Sequence, residues 1–144
     1  MKSVVLDTNV YVDWLRSRDH HDLVVGAGVR RHMSAVVAME LRVGARTLPG
    51  RRAVQRVLRV FHRTGRVVVP AGSVFETAGD LLQRLSDAGL EIRRASLVND
   101  VLIALSARTI GATVVTQDRD FEAIHRVVAF DLHILPRRAQ GPRR

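Results

Sequence analysis

The chain has 144 residues, 47% of them apolar and 26% charged, which is enough to bury one core and too little for two. It contains no Cys, which excludes disulfides, thiolate zinc sites, iron–sulfur clusters and a cysteine nucleophile; its sole lysine, Lys2, stands too early for a phosphate-loop, Schiff-base or deep catalytic lysine. Lys+Arg 23 against Asp+Glu 14 gives a net charge of +9, carried almost wholly by arginine, and favours polyanionic partners.

No apolar run approaches the roughly 18 residues that span a bilayer, and the N-terminus turns acidic too soon for a secretory leader. A soluble, cytoplasmic protein with no membrane partner is expected. Residues 3–6 form a short β-rich run ending at Asp7, and Tyr11, Val12, Trp14 and Leu15 then recur at helical spacing. Tyr11 and Trp14 are expected in the core, His20-His21 in a polar turn. Gly26-Ala27-Gly28 begins a dinucleotide fingerprint that fails, because Arg31 occupies the last glycine position and no strand precedes it. Residues 32–35 suggest a second strand, after which Ser34 caps a helix running to residue 46 and stopping near Leu48-Pro49-Gly50.

The next helix, 51–63, ends at Gly65, and Val67-Val68-Val69 reads as a buried-type strand stopped by Pro70. A helix over 74–88 closes at Gly89, and the most apolar helix, 97–110, closes at Gly111. A strand over 112–116 leads into Asp118, a short helix follows near 121–125, and a last strand lies around 132–135. Strands alternating with helices predict an α/β fold with a parallel sheet covered on both faces, and in such folds sites lie at the carboxyl ends of the strands. One domain over 1–135 is expected, with 136–144 a basic tail that has no apolar anchor and is expected to be disordered.

Between Glu40 and Glu76 there is no acid. Arg52, Arg56, Arg59 and Arg63 stand at helical spacing there, opposite a side supplied by Val54, Val57, Leu58 and Phe61. The stripe reads either as a solvated face or as a surface that grips phosphate or a partner, since guanidinium binds phosphate bidentately; charge alone does not choose.

The acids are placed less like a surface. Asp7 follows a buried-type strand at the sheet's carboxyl edge, although alone it reads equally as a helix cap. Glu40 shares a helix face with Val36, Val37, Val43 and Gly44, and Asp100 shares one with Leu97, Ile103, Ala104 and Ala107. Acids on apolar faces need arginine, backbone donors or a metal. Asp118 follows a strand as Asp7 does, with Asp120 two residues beyond. Carboxylates without Cys or suitably spaced His suit a hard ion, Mg²⁺ or Mn²⁺, and disfavour zinc. The histidines are expected to be ordinary surface imidazoles, and Asp13 and Asp22 to serve solvent or helix-end roles.

Four stretches carry a resemblance. Val5-Leu6-Asp7-Thr8-Asn9-Val10, residues 34–41 with Glu40-Leu41 and the following Gly44, residues 99–104 with Asn99-Asp100, and Thr116-Gln117-Asp118-Arg119-Asp120-Phe121 stand in the order and spacing of the PIN-domain nucleases, and are most similar to the VapC toxins. The likeness runs from residue 2 to about 135. It implies a PIN-like three-layer α/β/α sandwich with a central parallel sheet. Asp7, Glu40, Asp100 and Asp118 would be the catalytic acids holding Mg²⁺ or Mn²⁺, with Asp120 as support or alternate ligand and Thr8, Asn9 and Thr116 orienting the cluster. It further implies a metal-dependent endoribonuclease, a homodimer, a cognate VapB-like antitoxin, translation as the process inhibited, and transfer or ribosomal RNA as the substrate. A catalytically inactive RNA- or protein-binding module, a housekeeping nuclease and a DNA-directed nuclease of the same fold are the alternatives.

Overall fold

The computed structural model describes residues 1–136. The remainder of the expected basic tail, from residue 137, lies outside the described residues. Five strands, β1 (Lys2–Leu6), β2 (Val29–Ser34), β3 (Val67–Val68), β4 (Thr113–Thr116) and β5 (Leu132–Ile134), form one wholly parallel sheet in the order β3-β2-β1-β4-β5. The helices are α1 (Thr8–Ser17), α2 (His21–Val25), α3 (Ala35–Gly44), α4 (Leu48–Thr64), α5 (Gly72–Asp87), α6 (Ala95–Thr109) and α7 (Phe121–Val127). The helices pack as two groups, α1 to α4 and α5 to α7, which the rule for parallel crossovers assigns to opposite faces of the sheet, giving the expected three-layer sandwich.

Central β1 and β4 read as continuous apolar runs because both of their faces are covered, and Val5, Leu6 and Val114 are fully buried. The chain leaves β1 toward β2 and β3, then crosses back to β4 on the other side of β1. The sheet therefore reverses direction between β1 and β4, and that crevice is where open α/β sheets place their ligands. Leu6 stands beside Val115 in register, so Asp7 and Thr116 leave the sheet side by side, and the Asp7 amide donates to the Val115 carbonyl at 2.9 Å.

The elements depart from the sequence reading in four places. The polar turn at His20-His21 is the start of a short helix, α2. The second strand begins at Val29 rather than residue 32, and α3 ends at Gly44 rather than at residue 46. Leu48-Pro49-Gly50 does not stop a helix but opens α4: the Thr47 hydroxyl accepts from the Gly50 amide at 3.1 Å, and Pro49 falls in the first turn, where a missing N–H costs nothing. Gly65 ends that helix in the left-handed region, as expected of a glycine cap. Among the described residues no helix is long and apolar enough to cross a membrane.

Candidate active site

Asp7 caps α1. Its Oδ1 accepts from the Thr8 amide at 2.8 Å, and its Oδ2 accepts from the Thr116 hydroxyl at 2.7 Å and the Asn9 amide nitrogen at 3.2 Å. The capping reading is realised, and the same carboxylate also bonds the end of β4. Asp7 is only 5% exposed, and burial pushes its pKa up to about 6, against the lowering effect of Thr116 and Thr8; Glu40 and Asp118 raise it further.

Thr116 is the hinge of the crevice. Besides donating to Asp7, its hydroxyl oxygen accepts from the Asp118 amide at 2.9 Å and from Asn9 at 3.3 Å, so the end of β4 and the start of α1 are tied at one atom. Asn9 closes the tie by accepting from the Gln117 amide at 3.2 Å. Thr8 reaches the other way and donates its hydroxyl to Glu40 Oε1 at 2.8 Å, while Asn99 Nδ2 reaches Glu40 Oε2 at 3.5 Å. The three expected supporting residues, Thr8, Asn9 and Thr116, therefore all touch the acids or each other.

Asp100 differs from the rest. It is 7% exposed, sits on the stripe with Leu97, Ile103, Ala104 and Ala107, all buried, and makes no side-chain hydrogen bond or ion pair among the described residues. Burial, followed by the charges of Asp7, Asp118, Glu40 and Asp120, pushes its pKa up to about 8. Glu40 is less extreme than the sequence suggests: Val36 and Val37 are buried, but Val43 is 71% exposed, so its helix face is only half apolar and Glu40 is half-buried.

Asp118 and Asp120 part company here. Asp118 acts on both Asp7 and Asp100, whereas Asp120 acts on Asp100 alone and is half exposed, paired with Arg94 at 3.7 Å. That is the only arginine in an ion pair with any of the five acids among the described residues. The Asp118 carboxylate also accepts from the Asp120 amide at 2.8 Å, so the second acid shapes the loop of the first.

Asn99 joins the site beyond the residues expected, and Asp13 and His20 depart from the solvent, helix-end and surface-imidazole roles expected of them. Asp13 Oδ2 accepts from Gln117 Nε2 at 2.6 Å and lies 3.6 Å from His20 Nε2, so neither side chain is an ordinary surface group. These contacts span the α1–α2 loop and the end of β4, a separation that leaves no local signal. Asn99 was legible by adjacency to Asp100.

Among the described residues no three His, Asp or Glu side chains are drawn together to metal-ligand spacing. The donor chemistry nevertheless fits a hard cation: all five candidates are carboxylates, two are buried at the crevice, and among the described residues no cationic side chain pairs with Asp7 or Asp100. A hard ion that retains water needs only one or two of them directly. The PIN-domain family model matches residues 4–127. The chain belongs to the PIN-domain family.

Its fold is shared with toxin–antitoxin structures. VapBC2 from Rickettsia felis bound to a DNA fragment from their promoter superposes with a TM-score of 0.67 and 23% identity, over 93% of this chain and 99% of that one. DNA-bound VapBC from Salmonella typhimurium gives a TM-score of 0.67 and 23% identity over 93% and 98%. VapBC-5 from Mycobacterium tuberculosis, a member of the VapBC family of toxin–antitoxin systems, gives 0.64 and 21% over 94% and 100%. At these identities the likeness is one of fold. No curated protein matches the chain.

Proposed function

We propose that this PIN-domain protein is a divalent-cation-dependent endoribonuclease, the toxin of a VapBC-type pair that acts on translation in the cytoplasm by cutting transfer or ribosomal RNA. The observation that carries the reading is the pair Asp7 and Asp100: two carboxylates buried where the strand order reverses, raised to about 6 and about 8, with no ion-pair partner among the described residues. Such burial is unfavourable unless a positive ligand completes it.

Asp7 and Asp100 would hold Mg²⁺ or Mn²⁺, with Glu40 and Asp118 contributing directly or through water and Asp120 in support. When bound, the ion supplies Lewis-acid activation of water and charge neutralisation at the phosphate. The chain's own residues supply position. Thr116 and Thr8 orient the Asp7 carboxylate and oppose the burial that raises its pKa, Asn9 joins Asp7 to the Gln117 backbone, and Thr8 and Asn99 hold Glu40.

The antitoxin reading draws support from the fold neighbours, which are VapBC complexes, and from a groove of about 400 Å³ beside α4. Trp14, Val60 and Phe61 line it with Arg56 and Arg66, a lining suited to a segment that is part apolar and part acidic. Tyr11 also lines it, and its hydroxyl is the one buried side-chain polar atom among the described residues with no hydrogen-bond partner. A bound segment that offers an acceptor there would satisfy it. For a homodimer, Met39 and Val43 present a half-exposed to exposed apolar pair one turn apart on α3.

The test is cleavage of purified transfer and ribosomal RNA by the full chain. Strand scission in Mg²⁺ or Mn²⁺ that stops in chelator and returns on adding metal is expected. Undiminished cleavage in excess chelator overturns the reading.

A further inference from the structure

The arginines of α4 do not simply fan into solvent. Arg42 of α3 and Arg51, Arg52, Arg56 and Arg59 of α4, together with Gln55, line a single open cleft of about 500 Å³ where α3 hands over to α4. No carboxylate lines it. Among the described residues none of the arginines between 42 and 66 forms an ion pair. Two of the five are held in place: Arg42 Nη2 donates to Gln55 Oε1 at 2.9 Å, and Arg51 Nε donates to the Ala45 carbonyl at 3.3 Å, leaving the other N–H groups of each free. The first turn of α4 carries no acid, so the positive end of the helix dipole adds to the same field. Arg63 continues the stripe on the same helix face but does not line the cleft.

Exposed like charges gathered in one concavity with no counter-charge from the protein cost little in water, but they focus a positive field that no group of the chain answers, and such a field draws anions. The lining says which anion. It is guanidinium and amide throughout, whereas a docked protein segment buries apolar area at its centre. The apolar groove that suits such a segment is a separate one, meeting this cleft only at Arg56.

We propose that the α3–α4 cleft is a binding site for the phosphodiester backbone of a nucleic-acid strand, gripping the substrate outside the acidic crevice. The site sits well for that role. Glu40 and Arg42 are two residues apart on α3, about 3 Å along its axis and roughly 200° around it. Glu40, bonded to Thr8 at the crevice, and Arg42, lining the cleft, thus project to nearly opposite sides of α3 near its end, and a strand crossing that end would pass both. The inference rests on the ribonuclease reading for the strand's identity as RNA, and not for the binding itself.

The experiment measures binding of a labelled RNA hairpin to the full chain in excess chelator, where no hydrolysis interferes, across a range of salt. Arg52 and Arg59 are exposed and make no hydrogen bond, so substituting them leaves the fold intact. Arg52→Gln/Arg59→Gln is expected to weaken binding about tenfold or more and to flatten the slope of log K against log salt by roughly 1.5, from two lost phosphate contacts. Arg16→Gln/Arg63→Gln carries the same net charge and is expected to weaken binding less than about threefold. Arg52→Lys/Arg59→Lys should keep the slope and lose part of the affinity, because lysine keeps the charge without the bidentate fork. A DNA hairpin of the same sequence should suffer the same loss, since the lining reads phosphate and not sugar.

Equal losses in the two glutamine double variants would reduce the effect to net charge and overturn the proposal. So would a loss confined to an acidic Asp- and Leu-rich peptide, which would make the cleft a protein site. Cleavage by the parent in Mg²⁺ separates the two readings: a parent that cuts RNA while both glutamine variants bind alike sinks the cleft alone. A parent that never cuts while the cleft variant alone loses binding sinks the nuclease reading and leaves the cleft.

Discussion

The acidic crevice and the arginine cleft are both clusters of like charge, and among the described residues neither Asp7 and Asp100 in the one nor the arginines of the other have an ion-pair partner; they respond to that condition differently. At the crevice the charges are buried, and the protein relieves the repulsion by holding protons: Asp7 and Asp100 are pushed up to about 6 and about 8. At the cleft the arginines are exposed and water does the work. A pair of unit charges 4 Å apart is worth about 4 kcal/mol at an effective dielectric near 20 and only about 1 kcal/mol in bulk water. The same arrangement is therefore a strain reservoir in one place and a nearly cost-free surface in the other. The crevice should govern stability and chemistry, and the cleft should govern binding.

The sharpest way to break that contrast is Asp100→Asn, which keeps the side chain's shape and removes the charge with least solvent relief. Cleavage should fall by roughly a thousandfold, the scale seen when a group that stabilises developing charge is lost. Without metal the variant should be at least as stable as the parent, and in Mg²⁺ it should gain less, because the ion stabilises the native state only through its ligands. Melting curves of both proteins in chelator and in Mg²⁺ check this. A variant clearly less stable in chelator, yet stabilised by Mg²⁺ as the parent is, would make Asp100 a structural residue.

Next in size is the pH dependence of the metal-free protein. A carboxyl whose folded pKa is raised does nothing below its ordinary value of 3.8, where both states are protonated. Above it the unfolded chain ionises first, so folding takes up a proton and stability falls as pH rises, until the folded carboxyl ionises near 8. Metal-free parent should lose up to about 1.4 kcal/mol per pH unit for each proton taken up, with Asp7 and Asp100 sharing the titration. Burial lowers the pKa of His32, and nearby Arg66 and Arg30 reinforce it, which tilts the acid side of the profile the other way, so the parent-minus-Asp100→Asn difference is the quantity to read. Denaturant unfolding at pH 5 and pH 8 supplies it. A difference that does not change between those two pH values would show that Asp100 is not strained.

Much of this was legible in the residues. Asp7, Asp100 and Asp118 could be located because each breaks a local rule: an acid directly after an apolar strand, or an acid inside an apolar helix stripe. Glu40 was located by a rule that only half applies, since Val43 faces outward in the folded chain. The opening of α4 was misread because Pro-Gly usually marks a stop, whereas after a capping threonine proline is at home in the first turn. Asp13, His20 and Gln117 left no such trace, because their meeting depends on how the α1–α2 loop packs against the end of β4. Helical spacing revealed the arginine stripe, but only the neighbouring end of α3 turns part of it into a cleft with Arg42 and Arg51 and leaves Arg63 outside.

The crevice itself contains a smaller contrast, between Asp118 and Asp120. Asp118 acts on both buried carboxylates, while Asp120 is half exposed and pairs with Arg94 at 3.7 Å. Asp118→Asn should cost cleavage roughly a hundredfold and Asp120→Asn less than about tenfold, in proportion to how much charge each loses in a low-dielectric setting. Initial rates on one RNA substrate at saturating Mg²⁺ measure both. Equal losses would mean that Asp120 shares the inner role, and that its pairing with Arg94 gives way when metal and substrate arrive.

The smallest effect separates the two charge clusters most directly. Relieving repulsion at the cleft with Arg52→Gln/Arg59→Gln should stabilise the free protein by no more than about 0.5 kcal/mol, the scale of exposed charge effects. It should do so only at low salt. Screening acts over roughly 30 Å at 0.01 M and roughly 3 Å at 1 M, so exposed arginines across an open cleft stop sensing one another at high ionic strength. Buried carboxylates are screened far less, because the field between them runs mostly through protein rather than through salt solution. The stability gained by Asp100→Asn in chelator should therefore persist between 0.01 M and 1 M NaCl at pH 8, while the gain at the cleft vanishes. Thermal unfolding of the parent and both variants at the two salt concentrations makes the comparison. If both gains disappear together in salt, the acids are as solvated as the arginines, and burial is not what sets the two clusters apart.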